Sequence, residues 1–156
     1  MKGEARERDI AVNRRAFFDY HIGDRYEAGL MLIGSEVKSL RAGRANLKDA
    51  FARFLGDELF LIGAHISPYA PAAQFGHEPT RHRKLLLHAR ELVKLRAGLE
   101  RDGFTLVPLR LYWSKGRAKL ALGLGKGKKL HDKRAAIRER TEQREITRAM
   151  STARRR

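Results

Sequence analysis

Three stretches of the chain alternate between apolar and polar positions. In residues 26–33, YEAGLMLI, Tyr26, Ala28, Leu30 and Leu32 fall on one face and Glu27, Gly29, Met31 and Ile33 on the other, the period of a strand. Glu27 then points away from the Leu30 side. NLKDAFARFL and ELFLIGAHI flank Gly56-Asp57, a dipeptide that closes tight two-residue hairpins because glycine takes the positive φ. FTLVPLRLYW and RAKLALGL flank Ser114-Lys115-Gly116 as another hairpin. There Ala118, Leu120, Leu122 and Leu124 face inward, while Arg117, Lys119 and Ala121 face out. Pro108 has no N–H to give to a ladder, so it predicts an edge or a bulge.

Helical spacing is rarer. Ser35 is the expected N-cap of a short helix, SEVKSLR, with Glu36 in its first turn and Val37 and Leu40 at i, i+3. From about His88 to Arg101, Leu92, Leu95 and Leu99 recur at i, i+3, i+7, and Gly103 stands where a left-handed cap ends a helix. Residues 67–83 hold three of the four prolines and show no period, which predicts a long surface loop. Short strands joined by hairpins, with few helices between, make the chain mainly β. The pattern fits a small closed or nearly closed antiparallel barrel of the OB-like class, or a half-open sheet under one covering helix.

Charge divides the chain where the pattern does not. At 156 residues it suits one domain able to bury roughly 70% of its unfolded surface. The net charge is +16, an excess that attracts polyanions, nucleic acid foremost. Residues 126–156 carry 12 Lys/Arg against 4 Asp/Glu, so one fifth of the chain holds half of that excess. The expected division is therefore a barrel over residues 1–125 and a basic tail over 126–156. DKRAAIRERTEQREITRAM has no Gly or Pro, yet Ile137, Ile146 and Met150 form no continuous apolar stripe. Such a tail is expected to be mobile when free and helical against an anionic surface. A merely solubilising basic tail is the alternative.

Little else in the sequence points to chemistry. There are no cysteines, no apolar run of transmembrane length and no signal-peptide core, so a cytoplasmic protein is expected. His77, His82 and His88 are five and six residues apart, which matches no common metal-ligand spacing; surface or stacking histidines and no cofactor are expected. Glu27, Glu36 and Glu78 have no accompanying nucleophile or paired-carboxylate motif. GKGKK lacks the first glycine and the following Ser/Thr of a phosphate loop. An enzyme is not expected, and a nuclease is the form to test. Tyr112 and Trp113 straddle the two faces of a strand, where either a stacking or a half-buried core role is open.

EVKSLRAGRANLKDAFARF, AHISPYAP, RHRKLLLH and GKGKKLHDKR occur in an order and spacing that resemble the small protein B family, the SsrA-binding proteins of bacterial trans-translation. The resemblance runs from about Ala11 to Met150. It implies an OB-type barrel that binds the tRNA-like domain of transfer-messenger RNA and accompanies its alanyl form, with elongation factor Tu, to ribosomes stalled on messages without a stop codon. It also implies an RNA-binding face at Asn13, Tyr20, Glu27, Leu86 and Lys119. By the same resemblance, Lys126, Lys128, Lys129, His131, Asp132, Lys133 and Arg134 enter the vacant decoding centre and message channel, with Gly125 and Gly127 as a flexible exit from the barrel. Glu27 would accept hydrogen bonds from base amino groups or a ribose 2′-OH, the alternative being a salt bridge that orients a neighbouring Arg. For Leu86 the alternative is a core position in KLLLH. Two other classes remain open: a permanent ribosome-associated protein and an RNA-processing enzyme.

Overall fold

The computed structural model of the chain describes residues 8–69, 77–101 and 103–154. Its elements in chain order are β1 (Arg8–Val12), α1 (Ala16–Asp19), β2 (Tyr20–Leu30), α2 (Gly34–Arg41), β3 (Ala45–Asn46), β4 (Phe51–Leu55), β5 (Glu58–Ile62), β6 (His65–Ile66), β7 (Arg83–Leu86), α3 (Ala89–Leu99), β8 (Phe104–Ser114), β9 (Arg117–Gly127) and α4 (Leu130–Arg154). Six strands pair antiparallel in the order β8-β4-β5-β7-β2-β9, and β9 pairs back onto β8. The sheet therefore closes on itself, which removes its edges. Strand β1 adds to the free part of β8, and β3 pairs with β6 in a small separate ribbon.

Both expected hairpins are present. Gly56 (φ 65°) helps turn β4 into β5, and Leu55 faces Glu58 across the two-residue loop. Between β8 and β9, Lys115 and Gly116 both take positive φ, the mark of the type I′ turn whose twist matches that of its strands. Ala118, Leu120, Leu122 and Leu124 all point into the core, with Leu120 and Leu122 fully buried. Pro108 sits at a bulge, where the register shifts between Pro108 and Arg110. It is not on an edge, because β8 has neighbours on both sides.

Several boundaries differ from the sequence expectation for identifiable reasons. β2 begins six residues before Tyr26 because a bulge between Ile22 and Arg25 breaks the alternation there, and it ends at Leu30 rather than Ile33. The cap of α2 is Ile33, not Ser35: the Glu36 carboxylate accepts from the Ile33 N–H at 3.0 Å, while the Ser35 hydroxyl bonds His77 Nδ1 at 2.8 Å. His77 is buried, with Nε2 2.8 Å from the Ile66 carbonyl, so it is not a surface histidine. Residues 70–76 of the expected 67–83 loop lie outside the described residues, and Arg83 already belongs to β7. α3 forms as expected, with Leu95 fully buried on the barrel and Gly103 at φ 80° beyond its end.

The strongest polar contact of the core lies beneath α2. Glu36 and Arg83 are both fully buried; Arg83 Nε donates to one carboxylate oxygen and Arg81 Nη2 to the other. Arg83 also donates to the carbonyls of Ala64 (2.8 Å) and Pro79 (3.0 Å), so one guanidinium ties α2, β7 and two loops together. Burial pushes the Glu36 carboxyl up, but bonds from Arg81, the Ile33 N–H and Arg83 outweigh it, leaving Glu36 below the usual carboxylate range. An Arg83→Met substitution leaves one oxygen of that carboxylate without its donor, with Arg81 and the Ile33 N–H still on the other, and should cost about 3–5 kcal/mol in urea unfolding. Because the folded pKa of Glu36 is depressed, its contribution is present above the unfolded carboxylate value and is lost as pH falls through the folded one. Urea midpoints measured from neutral to acid pH should therefore fall in the wild type, and should fall less in Glu36→Gln.

Candidate nucleic-acid interface

Three of the candidate RNA-facing residues converge. Leu86 in β7 pairs with Gly29 in β2, and Gly29 pairs with Lys119 in β9, so a row crosses three adjacent strands. Glu27 stands two residues from Gly29 on the same outer face, its carboxylate 3.9 Å from Lys119 Nζ. Together with Trp113, His88 and Arg117 they line an open groove of about 820 Å³. Gly29 keeps its floor low, since a side chain there would stand between Leu86 and Lys119.

Exposure bears on the alternative for Leu86, and the alternative for Glu27 meets an ion pair with a lysine in place of an arginine. Leu86 is 48% exposed while its neighbour Leu85 is in the core, so Leu86 is an outer-face residue. Glu27 has Lys119 beside it, but at 3.9 Å and in water such a pair holds little energy, and both groups stay available to a ligand. The groove thus offers an apolar surface, a cation for phosphate and a carboxylate for amino or hydroxyl donors. The alternation that sets Glu27, Arg117 and Lys119 on outer faces gives part of this surface from sequence; Trp113 is brought beside them by the tight β8–β9 turn.

Asn13 and Tyr20 lie elsewhere. They border a smaller depression of about 260 Å³ shared with Arg15 and Lys48. Tyr20 and Glu27 are seven residues apart on β2, roughly 20 Å along the strand. Asn13 donates from Nδ2 to the Pro108 carbonyl at 2.9 Å and from its backbone N–H to Leu109 at 2.8 Å, pinning the end of β1 to the bulge in β8. The five residues expected on one face are thereby parted into two groups. Tyr112, one of the two aromatic candidates, is buried under the Arg110 guanidinium; Trp113 is half-buried at the groove.

The tail candidates fall on β9 (Lys126), on the two-residue link after it (Lys128, Lys129) and on α4 (His131, Asp132, Lys133, Arg134). Gly125 and Gly127 are no flexible exit: they pair with Ile22 and Tyr20, and β9 runs two residues past the expected boundary at 125. Lys126 reaches over the Phe104 ring. The segment expected to become helical is the helix α4, and Lys129, His131 and Arg134 are exposed at its start. Asp132 accepts from the Lys129 N–H at 3.3 Å and lies 3.4 Å from His21 Nε2; the His21 contact first, with the Lys129 N–H and His131, holds its carboxyl below the ordinary value. Lys133 Nζ is 3.2 Å from the Asp19 carboxylate. Beyond this first part, α4 exposes Ile137, Ile146 and Met150 together with its basic residues.

A closed OB-like barrel with a mixed polar groove and a basic helix standing off it defines the class: a nucleic-acid-binding β-barrel with a cationic arm. The comparisons narrow the class to one family. The family described as SmpB protein matches residues 10–152, and the chain belongs to it. An SsrA-binding protein of Caulobacter vibrioides is 58% identical over 142 residues, covering 90% of this chain and 93% of that protein. One from an Anaeromyxobacter species is 53% identical over 154 residues, covering 99% and 93%. A solved structure described as "tmRNA-SmpB: a journey to the center of the bacterial ribosome" superimposes with a TM-score of 0.66 at 47% identity, covering 81% of this chain and 93% of that one.

If Lys119 contacts phosphate, Lys119→Ala should weaken RNA binding at every sequence tested. The slope of log affinity against log salt should drop by about one unit or less. Filter binding across a salt series measures it, and an unchanged slope would exclude a phosphate contact.

Proposed function

We propose that the protein is a non-enzymatic RNA-binding adaptor of trans-translation, working in the cytoplasm. It binds the tRNA-like domain of transfer-messenger RNA with its barrel and brings the aminoacylated RNA, with elongation factor Tu, to stalled ribosomes. The observation that carries this reading is the meeting of Glu27, Leu86 and Lys119 in one groove of a chain whose SsrA-binding relatives align over nearly its whole length. A surface of that mixed chemistry suits an RNA loop, whose unstacked bases offer faces to Leu86 and edges to Glu27 and whose backbone meets Lys119. Asn13 and Tyr20 act as a separate contact at the other end of β2.

The tail reads the ribosome. Lys126, Lys128, Lys129, Lys133 and Arg134 meet ribosomal RNA phosphate in the vacant decoding centre, His131 stacks on a base there, and Asp132 holds the start of the helix. The rest of α4 lies along the empty message channel. Its exposed cationic surface and lack of an apolar stripe favour such an anionic seat over a seat on the barrel.

Two outcomes test this. Glu27→Ala should weaken binding of the tRNA-like domain by about 1–3 kcal/mol in a gel shift without changing the melt; wild-type affinity would remove Glu27 from the interface. Truncation after Gly127 should keep the melting temperature and the RNA affinity but abolish tagging in a reconstituted assay of stalled ribosomes. Sequencing of co-purifying RNA separates the adaptor, which brings down one abundant non-ribosomal RNA, from a permanent ribosomal component.

A further inference from the structure

We infer that Phe17 and Arg25 form a base-stacking contact for the tRNA-like domain, set between the groove and the depression at Tyr20. The register places it there. On the outer face of β2, Glu27 lies opposite Ala121, Arg25 opposite Gly123, Ile22 opposite Gly125 and Tyr20 opposite Gly127. Helix α1 covers this face between Glu27 and Tyr20: its Ala16 is buried with Val107 and Leu109, and Tyr20, Ile22 and Ala121 pack around them. Gly123 and Gly125 make the room for Ile22 beneath it, since a Cβ on either would stand 2.7 or 3.2 Å from that side chain. With Ala16 turned inward, Phe17 is turned out and is 46% exposed. The Arg25 guanidinium stands 5.1 Å from the centre of its ring. Phe18 takes the α4 side instead, with Lys133 and Arg140 at 5.8 and 5.9 Å from its ring.

An exposed aromatic ring suits unpaired RNA of any sequence, because every base has a π-face to lay on it. Arg25 adds a planar cation that can extend the stack or meet a phosphate. The pair is continuous with the groove: Arg25 is two residues from Glu27 on the same outer face, about 7 Å along the strand. Phe17 thereby occupies the middle of the roughly 20 Å that part Glu27 from Tyr20. One unpaired stretch of RNA can then touch groove, ring and depression in order. Charge favours the same occupant. Within residues 14–25, Arg14, Arg15 and Arg25 are exposed against the single exposed carboxylate of Asp24, while Asp19 is engaged by Arg15 and Lys133. Such an excess draws a polyanion to the ring.

The inference rests on the proposed binding of the tRNA-like domain, and its test keeps the two apart. In gel shifts of the full-length protein with that RNA, Phe17→Ala should weaken binding about five- to a hundredfold, the span that one lost base stack gives. Phe17→Leu, apolar but without a π-face, should bind as weakly, and Phe17→Tyr, which keeps the ring, should restore the affinity. Arg25→Ala should weaken binding and lower the slope of log affinity against log salt by about one unit or less. Melting temperatures should hold, because neither side chain belongs to the packed clusters; should Phe17→Ala lose stability, the contrast between Leu and Tyr decides. Parental affinity in Phe17→Ala would overturn the inference, as would a Phe17→Leu variant that binds like the parent, since the ring would then be an apolar cover only. Unchanged binding of the tRNA-like domain beside weakened binding to ribosomes would overturn it too, by assigning the ring to ribosomal RNA. Glu27→Ala judges the groove by itself: if it binds like the parent while Phe17→Ala does not, the groove falls and the stack stands.

Discussion

The register of β9 is the constraint on which both halves of the molecule depend. Eight pairs tie it to β2 and ten to β8, and its inward leucines fill the barrel. Because side chains alternate along a strand, a slip of one residue would turn Leu120 and Leu122 to water and Lys119 into the core. The same register carries Gly127 opposite Tyr20, which delivers the chain to the carbonyl of Asp19. Groove and tail are thus set by one strand, at its two ends.

That strand was also the most legible part of the sequence. Unbroken alternation from Arg117 to Leu124 and the glycine of its turn announced the β8–β9 hairpin, as Gly56 announced β4–β5. Elements that break alternation were not legible: β1 is five residues, β7 is four, and β2 carries a bulge where Gly23 and Asp24 interrupt its period. Ser35 misled by its residue type. A serine is a good cap in isolation, but the buried carboxylate of Glu36 reaches the same donor from a rigid position, and Ser35 serves His77 instead.

The candidate site divided in the same manner. Glu27 and Lys119 could be placed on outer faces by period alone. Their approach to Leu86 depends on β7, which pairs with β2 at only two positions and reaches them across a chain separation of more than fifty residues, a fact no local pattern contains. The family motifs supplied Leu86 and the tail residues without supplying their neighbours. Arg117 and Trp113 had places on their strands, but their meeting with Leu86 and Glu27 emerged only from the folded chain.

Net charge and fold are kept apart by position. Among the described residues the core holds one carboxylate and one guanidinium, both engaged, while cations are displayed on the groove rim and on a helix that the barrel barely touches. Self-repulsion among them is then spent on keeping the arm extended and not on opening the barrel.

The length of α4 has a mechanical consequence. A helix of 25 residues is about 37 Å long. A rotation of about 10° at its base sweeps the far end through roughly 6 Å, more than a full helical turn of rise. Small errors in a few weak contacts around α1 are magnified by leverage into displacements larger than a side chain, whereas the same errors leave the groove untouched. The accuracy of a distant tip therefore hangs on Phe18, Asp19 and His21 at the surface of the barrel and not on Ala16, the residue of α1 that packs into the core.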